Sequence, residues 1–194
     1  MQTEVEVKFC RVDFDNLRVK LIDCGAKLVN PMRLMRRVII DNEFMRTGKD
    51  GYLRIRDEGD KTTLTYKQFD SLEFGGAKEI EVTVSDYEKT VELFRQIGLQ
   101  PKTFQETRRE MWQLDNCEIV LDEWPWLDPY IEIEGASKAK VKVCAEKLGF
   151  DWNDAVFGDV MAAYRVQYPQ LTKKDTIALL ESAKFDDPLP ELLR

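Results

Sequence analysis

A chain of 194 residues with 43% hydrophobic and 34% charged residues describes a soluble globular protein that is large enough for one domain with a real core. The absence of histidine excludes His general bases, His-containing triads and the common imidazole zinc sites, so any metal would be held by oxygen ligands, as Mg²⁺, Mn²⁺ or Ca²⁺ prefer. A net charge of −7 argues against a generic nucleic-acid-binding protein, although a cleft can still set its own local potential.

The cysteines and the start of the chain bear on location. Cys10, Cys24, Cys117 and Cys144 match no Cys-x-x-Cys pattern, which predicts free thiols in a reducing compartment. The chain begins directly with a charged strand pattern instead of the apolar region of a signal peptide. We therefore expect a cytoplasmic protein that does not associate with a membrane.

The first half of the chain alternates between predicted strands and helices. Strands are predicted at residues 4–10, 36–41, 52–56, 61–69 and 78–84. A helix capped by Asp13 and ended by Gly25 follows the first strand. A capping box at residues 85–88 opens a second helix, which ends at Gly98. Turns are predicted at residues 48–51 and 57–60, and a loop at Gly75-Gly76.

The second half continues with strands and ends in helices. Strands are predicted at residues 106–114, 118–122 and 130–134, with Pro125 and Pro129 interrupting the run between the last two. Helices are predicted from Ser137 to Gly149, at residues 155–164 and at residues 172–183. The tail from Phe185 is expected to be loose.

The tripeptide Glu-x-Glu occurs three times, each time within a predicted strand. The copies lie at residues 4–6, 79–81 and 132–134. Residues two apart in a strand point to the same face, so each copy places two carboxylates on one face and branched apolar residues on the other. An acidic face in water costs little, but an acidic face that lines an interior needs cations to compensate it.

Basic side chains also share strand faces. Arg54 and Arg56 lie on one face of their strand, and Lys67 shares a face with Thr63 and Thr65 in the next. An ordinary antiparallel sheet with a charged face in water explains any single strand. The full set of same-face pairs favours a sheet that curls or closes around its charged faces. Burying these charges in a dry interior would cost several kcal/mol of desolvation free energy per ion. We therefore expect a hydrated tunnel in which basic residues hold a polyphosphate and glutamates hold divalent ions.

In chain order, these residues resemble the CYTH family, also called triphosphate tunnel metalloenzymes. The motifs that carry the resemblance are Glu4-Val5-Glu6-Val7-Lys8, Leu53-Arg54-Ile55-Arg56, Lys67, Glu79 with Glu81, Arg109 before Trp112, Val120-Leu121-Asp122 and Tyr130-Ile131-Glu132-Ile133-Glu134. The resemblance covers about residues 2–168. It implies an α+β fold built on an eight-stranded antiparallel β-barrel tunnel flanked by helices. Residues 1–170 would form this tunnel domain, and residues 171–194 a C-terminal helix and tail.

The resemblance also implies roles for individual residues. The residues expected to act in catalysis are Lys8, Arg56, Glu4 and Glu6. Those expected to bind substrate are Lys8, Arg37, Arg54, Arg56, Lys67 and Arg109. Those expected to bind Mg²⁺ or Mn²⁺ are Glu4, Glu6, Glu79, Glu81, Asp122, Glu132 and Glu134. The sequence leaves open whether Arg36 or Arg37, and whether Arg108 or Arg109, faces the tunnel.

Three functions are compatible with this pattern. The first is metal-dependent hydrolysis of a triphosphate-containing small molecule, such as inorganic tripolyphosphate, thiamine triphosphate or a nucleoside triphosphate. The second is a class IV adenylyl cyclase that makes cyclic AMP and pyrophosphate from ATP, with Trp124 or Trp126 stacking on the base unless both pack at the barrel rim. The third is a non-catalytic polyphosphate or nucleotide-binding module. No nucleic-acid or membrane partner is expected, and a homodimer stays open.

Overall fold

The computed structural model describes residues 2–3, 5–47, 51–69 and 77–194. Glu4, most of the predicted turn at residues 48–51 and the predicted loop at Gly75-Gly76 lie outside these residues. The helices of the described residues do not combine the length and the apolar character needed to cross a bilayer.

Strands make up most of the described chain. They are β1 (Gln2–Thr3), β2 (Glu6–Cys10), β3 (Lys27–Ile40), β4 (Tyr52–Asp57), β5 (Thr62–Phe69), β6 (Ala77–Val84), β7 (Pro101–Leu114), β8 (Cys117–Trp124), β9 (Leu127–Gly135) and β10 (Ser182–Ala183). The helices are α1 (Phe14–Asp23), α2 (Glu43–Arg46), α3 (Tyr87–Gln96), α4 (Lys138–Lys147) and α5 (Val160–Gln167). Short 3₁₀ turns lie at Trp152–Asp154, Ile177–Leu179 and Glu191–Leu193.

The strands form one large sheet in the order β1-β6-β5-β4-β3-β7-β8-β9-β2, which confirms the predicted α+β class. All neighbours in this path are antiparallel, and β10 adds to β7 in parallel. Both ends of the path lie near the start of the chain, because Gln2 pairs with Glu79 while Glu6 pairs with Glu134. Among the described residues no direct pairing joins β1 to β2, so as a hydrogen-bonded path the sheet is not closed.

Two strands are much longer than predicted, and two prolines lie within strands. β3 and β7 each have 14 residues and pair along most of their length. Pro31 lies inside β3, where a shift of register between Asn30 and Arg33 accommodates it. Pro129 likewise lies inside β9, next to the register shift between Asp122 and Trp124 of β8, so the prediction that it interrupts the strands was wrong.

Two of the five predicted helix starts are confirmed at the level of the capping residue. The Asp13 carboxylate accepts hydrogen bonds from two backbone amides at the start of α1, and Ser137 caps α4. The start of α3 lies one residue later than predicted, since its N-cap is Asp86 and not Ser85. The helix predicted at residues 155–164 is shifted as well: α5 begins after its N-cap Asp159.

The helix predicted at residues 172–183 was wrong. The Asp175 carboxylate accepts hydrogen bonds from the Thr172 amide and hydroxyl, 2.6 and 2.7 Å away, and closes a local turn without a following α-helix. The chain then passes through a 3₁₀ turn into β10. The tail is packed and not loose, because Leu193 is buried against the core. The domain division at residue 170 stays a prediction.

The apolar strand faces are covered from outside. Val7, Phe9, Ile131 and Ile133 pack in one cluster with residues of α1 and α4. Two smaller clusters join the sheet to α3 and to α5 with the C-terminal segment. Because helices occupy the apolar face, the charged face of the same strands is turned inward.

Candidate active site

The charged strand faces line a cavity of about 590 Å³. Its acidic lining residues are Glu6, Asp41, Glu58, Glu79, Glu81, Glu118, Glu132, Glu134, Asp159 and Asp175. Its basic lining residues are Lys8, Arg37, Arg46, Arg54, Arg56, Lys61, Lys67, Arg109, Arg165 and Lys173. Lys8 is only 1% exposed and Arg54 only 9%, so these strands do not present a charged face to bulk water.

Strand register gathers the arginines on one wall. Arg37 of β3 lies directly opposite Arg56 of β4, and on its other side opposite Gln105 of β7. Arg54, two residues before Arg56, lies on the same face of β4. Three guanidinium groups therefore come from two neighbouring strands and share one part of the cavity.

Carboxylates occupy the opposite part of the sheet path. Glu6 of β2 lies opposite Glu134 of β9, which in turn lies opposite Glu118 of β8. Glu132, two residues from Glu134, lies opposite Lys8. The structure thus brings together the first and third Glu-x-Glu copies, apart from Glu4, which lies outside the described residues.

Lys8 is the centre of this acidic row. Its ammonium group donates to Glu6 at 2.7 Å and to the Gly158 carbonyl at 2.7 Å, and lies 3.2 Å from Glu132. Burial alone would lower the pKa of Lys8, but the two carboxylates outweigh it and hold the pKa above its ordinary value. Burial would raise the pKa of Glu132, yet Lys8 and Arg109 lower it to about 2.

Arg109 links the acidic row to a deeper carboxylate. Its Nε donates to Asp122 at 2.7 Å, its Nη2 donates to the second Asp122 oxygen, and the same Nη2 lies 3.1 Å from Glu132. Asp122 is fully buried, also accepts a hydrogen bond from the Tyr130 hydroxyl, and is not among the residues that line the cavity. Its role as a metal ligand stays a prediction.

Arg37 has no described carboxylate within ion-pairing distance. Its Nε donates to the Gln105 amide oxygen at 3.0 Å, and its guanidinium stacks 4.0 Å above the Trp124 ring. Burial and the neighbouring Arg54 lower the pKa of Arg37 to about 9, and the same two causes, with Arg109, lower the pKa of Arg56 to about 10. Both groups keep their charge at neutral pH, and the lowered values reflect crowded positive charge in a buried place.

Arg54 bridges the arginine wall to the second Glu-x-Glu copy. Its Nη2 donates to the Thr65 hydroxyl at 3.2 Å and lies 3.6 Å from Glu81 and 4.0 Å from Glu79. Thr65 in turn donates to Glu81 at 2.8 Å. Lys67 lies opposite Glu79 in the register of β5 and β6 and also lines the cavity.

The two arginine choices left open by the sequence are resolved by the fold. Arg37 and Arg109 line the cavity, whereas Arg36 and Arg108 are half exposed on the outer face. Arg36 pairs with Asp57 at 2.6 Å, and Arg108 pairs with Glu123 at 3.2 Å. Adjacent residues of a strand point to opposite faces, so only one member of each pair can face inward.

Several lining residues were not predicted. Glu118 has the same strand parity as Val120 and Asp122, so alternation in β8 could have identified it. Arg165, Lys173 and Thr176 could not have been found in this way, because they reach the cavity from outside the strands. No periodic signal connects the C-terminal segment to the cavity.

The donor set suits a hard divalent cation. Carboxylate oxygens are the ligands that Mg²⁺ and Mn²⁺ prefer, and Glu79 Oε2 is buried without a hydrogen-bond partner in the described structure. Within the described ranges, no three acidic or cysteine side chains are arranged so that they could hold a metal ion, because lysine and arginine side chains neutralise the carboxylates. The residues therefore fit a cation that enters together with an anion that occupies the basic groups.

The lowered pKa of Glu132 predicts a loss of stability in acid. A carboxylate with a folded pKa of about 2 contributes stability above its unfolded value near 4.5 and loses that contribution as the pH falls from there towards 2. We expect Glu132→Gln to be less stable than wild type above pH ~5, by roughly 3 kcal/mol at most, with the difference shrinking as pH falls. Urea unfolding at a series of pH values measures this difference.

Glu146→Gln is the control, because Glu146 forms only an exposed pair with Lys142. Its stability relative to wild type should change little over the same pH range. A Glu132→Gln difference that stays constant down to pH 2 would contradict the assigned interaction with Lys8 and Arg109.

Fold and site together define a class of protein built on a curled antiparallel sheet. The inner face of the sheet carries opposed rows of arginine and glutamate, and helices cover the outer face. The CYTH domain family model matches residues 2–154, and the chain belongs to that family. This confirms the resemblance drawn from the motifs.

Known proteins similar to the chain agree with this assignment. A candidate adenylate cyclase from Methanocaldococcus jannaschii is 32% identical over 97 residues, a match that covers 49% of this chain and about half (54%) of that relative. A protein structure from Pyrococcus horikoshii OT3 superposes with a TM-score of 0.66 at 26% identity, covering 78% of this chain and 93% of the other. A candidate adenylyl cyclase from Hippeastrum, described with a dominant triphosphatase activity, has the same fold (TM-score 0.55, 16% identity, 88% and 98% coverage).

Proposed function

We propose that this protein is a metal-dependent enzyme that hydrolyses a triphosphate inside its charged cavity. The observation that carries the proposal is the crowding of Arg37, Arg54 and Arg56 on one cavity wall, where burial and mutual repulsion lower the pKa of two of them. Such a cluster is relieved when a polyanion enters. The substrate would be inorganic tripolyphosphate, thiamine triphosphate or a nucleoside triphosphate.

The proposal includes closure of the sheet into an eight-stranded barrel. β1 and β2 are separated by only two residues, and they pair with β6 and β9 at the two ends of the sheet path. Counted as the two halves of one strand, they bring the path β6-β5-β4-β3-β7-β8-β9 back onto itself. A barrel of eight strands leaves room for one small ligand, which is consistent with a cavity of about 590 Å³.

Each wall of the barrel has a part in this function. Arg37, Arg54, Arg56, Lys67 and Arg109 would neutralise the phosphate chain, with Lys8 acting from the acidic row. The carboxylates that would hold one or two divalent ions are Glu6, Glu79, Glu81, Glu132 and Glu134, and Glu4 and Asp122 stay predicted ligands. A bound Mg²⁺ or Mn²⁺ supplies charge neutralisation of phosphate oxygens and lowers the pKa of a water. The fixed arginines hold the phosphates in place, so no covalent nucleophile on the protein is needed.

Class IV adenylyl cyclase activity is the second candidate, and the adenylate cyclase name of the Methanocaldococcus relative favours it. Cyclisation requires a pocket for the base as well as for the triphosphate. The Trp124 ring is already stacked under Arg37 and meets Tyr164 edge-on, and the Trp126 indole donates to the Asp187 carbonyl. Neither ring offers an obvious face for a base, and hydrolysis therefore ranks first. Binding without turnover ranks third, because carboxylates near a phosphate chain repel it unless a metal is present.

A substrate screen tests the proposal. The protein is incubated with tripolyphosphate, thiamine triphosphate and ATP, each with Mg²⁺, with Mn²⁺ or with EDTA. We expect orthophosphate release from at least one substrate with a divalent ion and loss of release with EDTA. Cyclic AMP with pyrophosphate would support the cyclase, and tight binding without any product would support the binding module. Arg56→Ala should abolish turnover, and full retained activity in that variant would defeat the site assignment.

Cytoplasmic location and the oligomeric state stay predictions. Size-exclusion chromatography with light scattering would decide between a monomer and the homodimer left open above.

A further inference from the structure

Glu58 is a buried carboxylate that no motif singled out. It lies in the turn after β4, lines the cavity and is only 2% exposed. The Arg56 guanidinium donates to Glu58 Oε1 through Nε at 3.0 Å and contacts the same oxygen through Nη2 at 2.7 Å. Arg33 and Lys61 lie 3.3 and 3.8 Å from the second oxygen, Oε2. Both carboxylate oxygens are therefore occupied by cations.

The turn that carries Glu58 is itself fixed. The Glu58 amide donates to the Lys61 carbonyl at 2.9 Å, and Arg33 Nε donates to the Glu58 carbonyl at 3.0 Å. The Thr63 hydroxyl adds a contact of 3.4 Å to Oε1. Backbone and side chain of Glu58 are thus held by residues of three consecutive strands and the turn, which leaves the carboxylate little freedom to move.

Arg56 needs such a partner. It is crowded by Arg54 and Arg109, and a long side chain in a hydrated cavity otherwise samples several rotamers. A carboxylate that holds two nitrogens of the guanidinium selects one orientation before a ligand arrives. Glu58 would also repel a phosphate chain at close range, so a direct substrate contact is not what this position is suited for.

We propose that Glu58 is a positioning residue that acts through Arg56 and preorganises its guanidinium for the triphosphate. The inference rests on the proposed function for the identity of the ligand. It differs from the expected metal-ligand role of the other cavity glutamates, because arginine and lysine side chains already hold both Glu58 oxygens.

The test uses the whole protein and inorganic tripolyphosphate with Mg²⁺. Binding is measured by calorimetry, and kcat and KM by phosphate release. Glu58→Gln keeps an oxygen that can accept from Arg56, whereas Glu58→Ala removes it. We expect Glu58→Ala to weaken binding on the order of 30-fold, and Glu58→Gln to stay within about fivefold of wild type. Glu123→Ala is the control, since Glu123 pairs with Arg108 on the outer face and away from the turn that carries Glu58; its binding should change less than about twofold.

A double-mutant cycle separates positioning from general damage to the fold. In the Arg56→Ala background, adding Glu58→Ala should change binding by less than about twofold, because no guanidinium is left to orient. An equal loss of binding from Glu58→Ala in wild type and in Arg56→Ala would overturn the proposal. Tighter binding by both Glu58 variants would also overturn it, because that result is expected of a carboxylate that only neutralises charge.

The cycle is run with thiamine triphosphate or ATP in place of tripolyphosphate if wild type binds only one of those. If wild type binds a triphosphate but releases phosphate from none of the three, the proposed hydrolysis fails while the binding cycle still decides the role of Glu58. If wild type binds none of the three, both proposals fail.

Discussion

Arg37→Met is expected to weaken tripolyphosphate binding about 100-fold while leaving the protein at least as stable as wild type. Arg37 is buried among other arginines, and its described partners are the neutral side chains of Gln105 and Trp124. Folding therefore buries this charge among like charges, which costs free energy of desolvation and repulsion. Methionine would keep most of the packing of Arg37 and remove this cost. Replacing a buried charge by an apolar side chain of similar volume stabilises proteins by about 1–4 kcal/mol in comparable cases.

Calorimetric titration measures the loss of binding, and urea unfolding measures the stability. Arg36→Met is the matched control, because Arg36 is the preceding residue of the same strand and faces outward. Arg36→Met should bind tripolyphosphate as tightly as wild type does. Its free energy of unfolding should fall by about 0.5 kcal/mol, because the exposed pair with Asp57 is lost. An Arg37→Met protein that unfolds more easily than wild type by more than 1 kcal/mol would show that other groups of the cavity compensate the charge of Arg37.

Lys8→Met is expected to lose activity as well, but unlike Arg37→Met it should also be destabilised. Its free energy of unfolding should fall by about 3 kcal/mol or more. Lys8 is almost fully buried and contacts Glu6, Glu132 and the Gly158 carbonyl. Removing its ammonium group leaves Glu6 and Glu132 with less positive charge to compensate them, although Arg109 still contacts Glu132 at 3.1 Å. Breaking a buried ion pair from one side costs more than the pair itself contributes, because the remaining charge stays desolvated.

Chemical denaturation near pH 7 measures this effect. The control Lys142→Met removes a lysine from an exposed pair with Glu146 and should cost less than about 0.5 kcal/mol. Adding Glu132→Gln to Lys8→Met should recover part of the lost stability, since it removes one of the two carboxylates that Lys8 compensates in wild type. Full wild-type stability in Lys8→Met alone would contradict the buried interactions described for β2.

Alternation within strands predicted the inward face of those strands that alternate cleanly between charged and apolar residues. Lys8, Arg54 and Glu132 could be assigned to one face because their strands alternate cleanly between charged and apolar residues. For Arg36 with Arg37 this reasoning failed, since two consecutive basic residues satisfy either parity. The choice is made by the pairing of β3 with β4 and β7, which local sequence does not encode.

Elements defined by distant contacts could not be predicted. Residues 172–183 have a helical pattern, but Ser182 and Ala183 pair with Phe104 and Gln105 of β7, and this tertiary contact prevails over local preference. Glu58 was part of a turn signal only, because its partner Arg33 lies in another strand. Arg56 is only two residues away in sequence, but the orientation of Glu58 also depends on Arg33 of β3 and Thr63 of β5.

The pairing of the first residues with both β6 and β9 also has a consequence for biosynthesis. Lys8 pairs with Glu132 and Gln2 pairs with Glu79, so residues 2–8 leave the ribosome well before their partners are synthesised. Contacts of such long sequence separation raise the contact order, and proteins dominated by them fold in milliseconds to seconds. During synthesis the charges of Glu6 and Lys8 thus favour a hydrated β2 until β9 has been made and can pair with it.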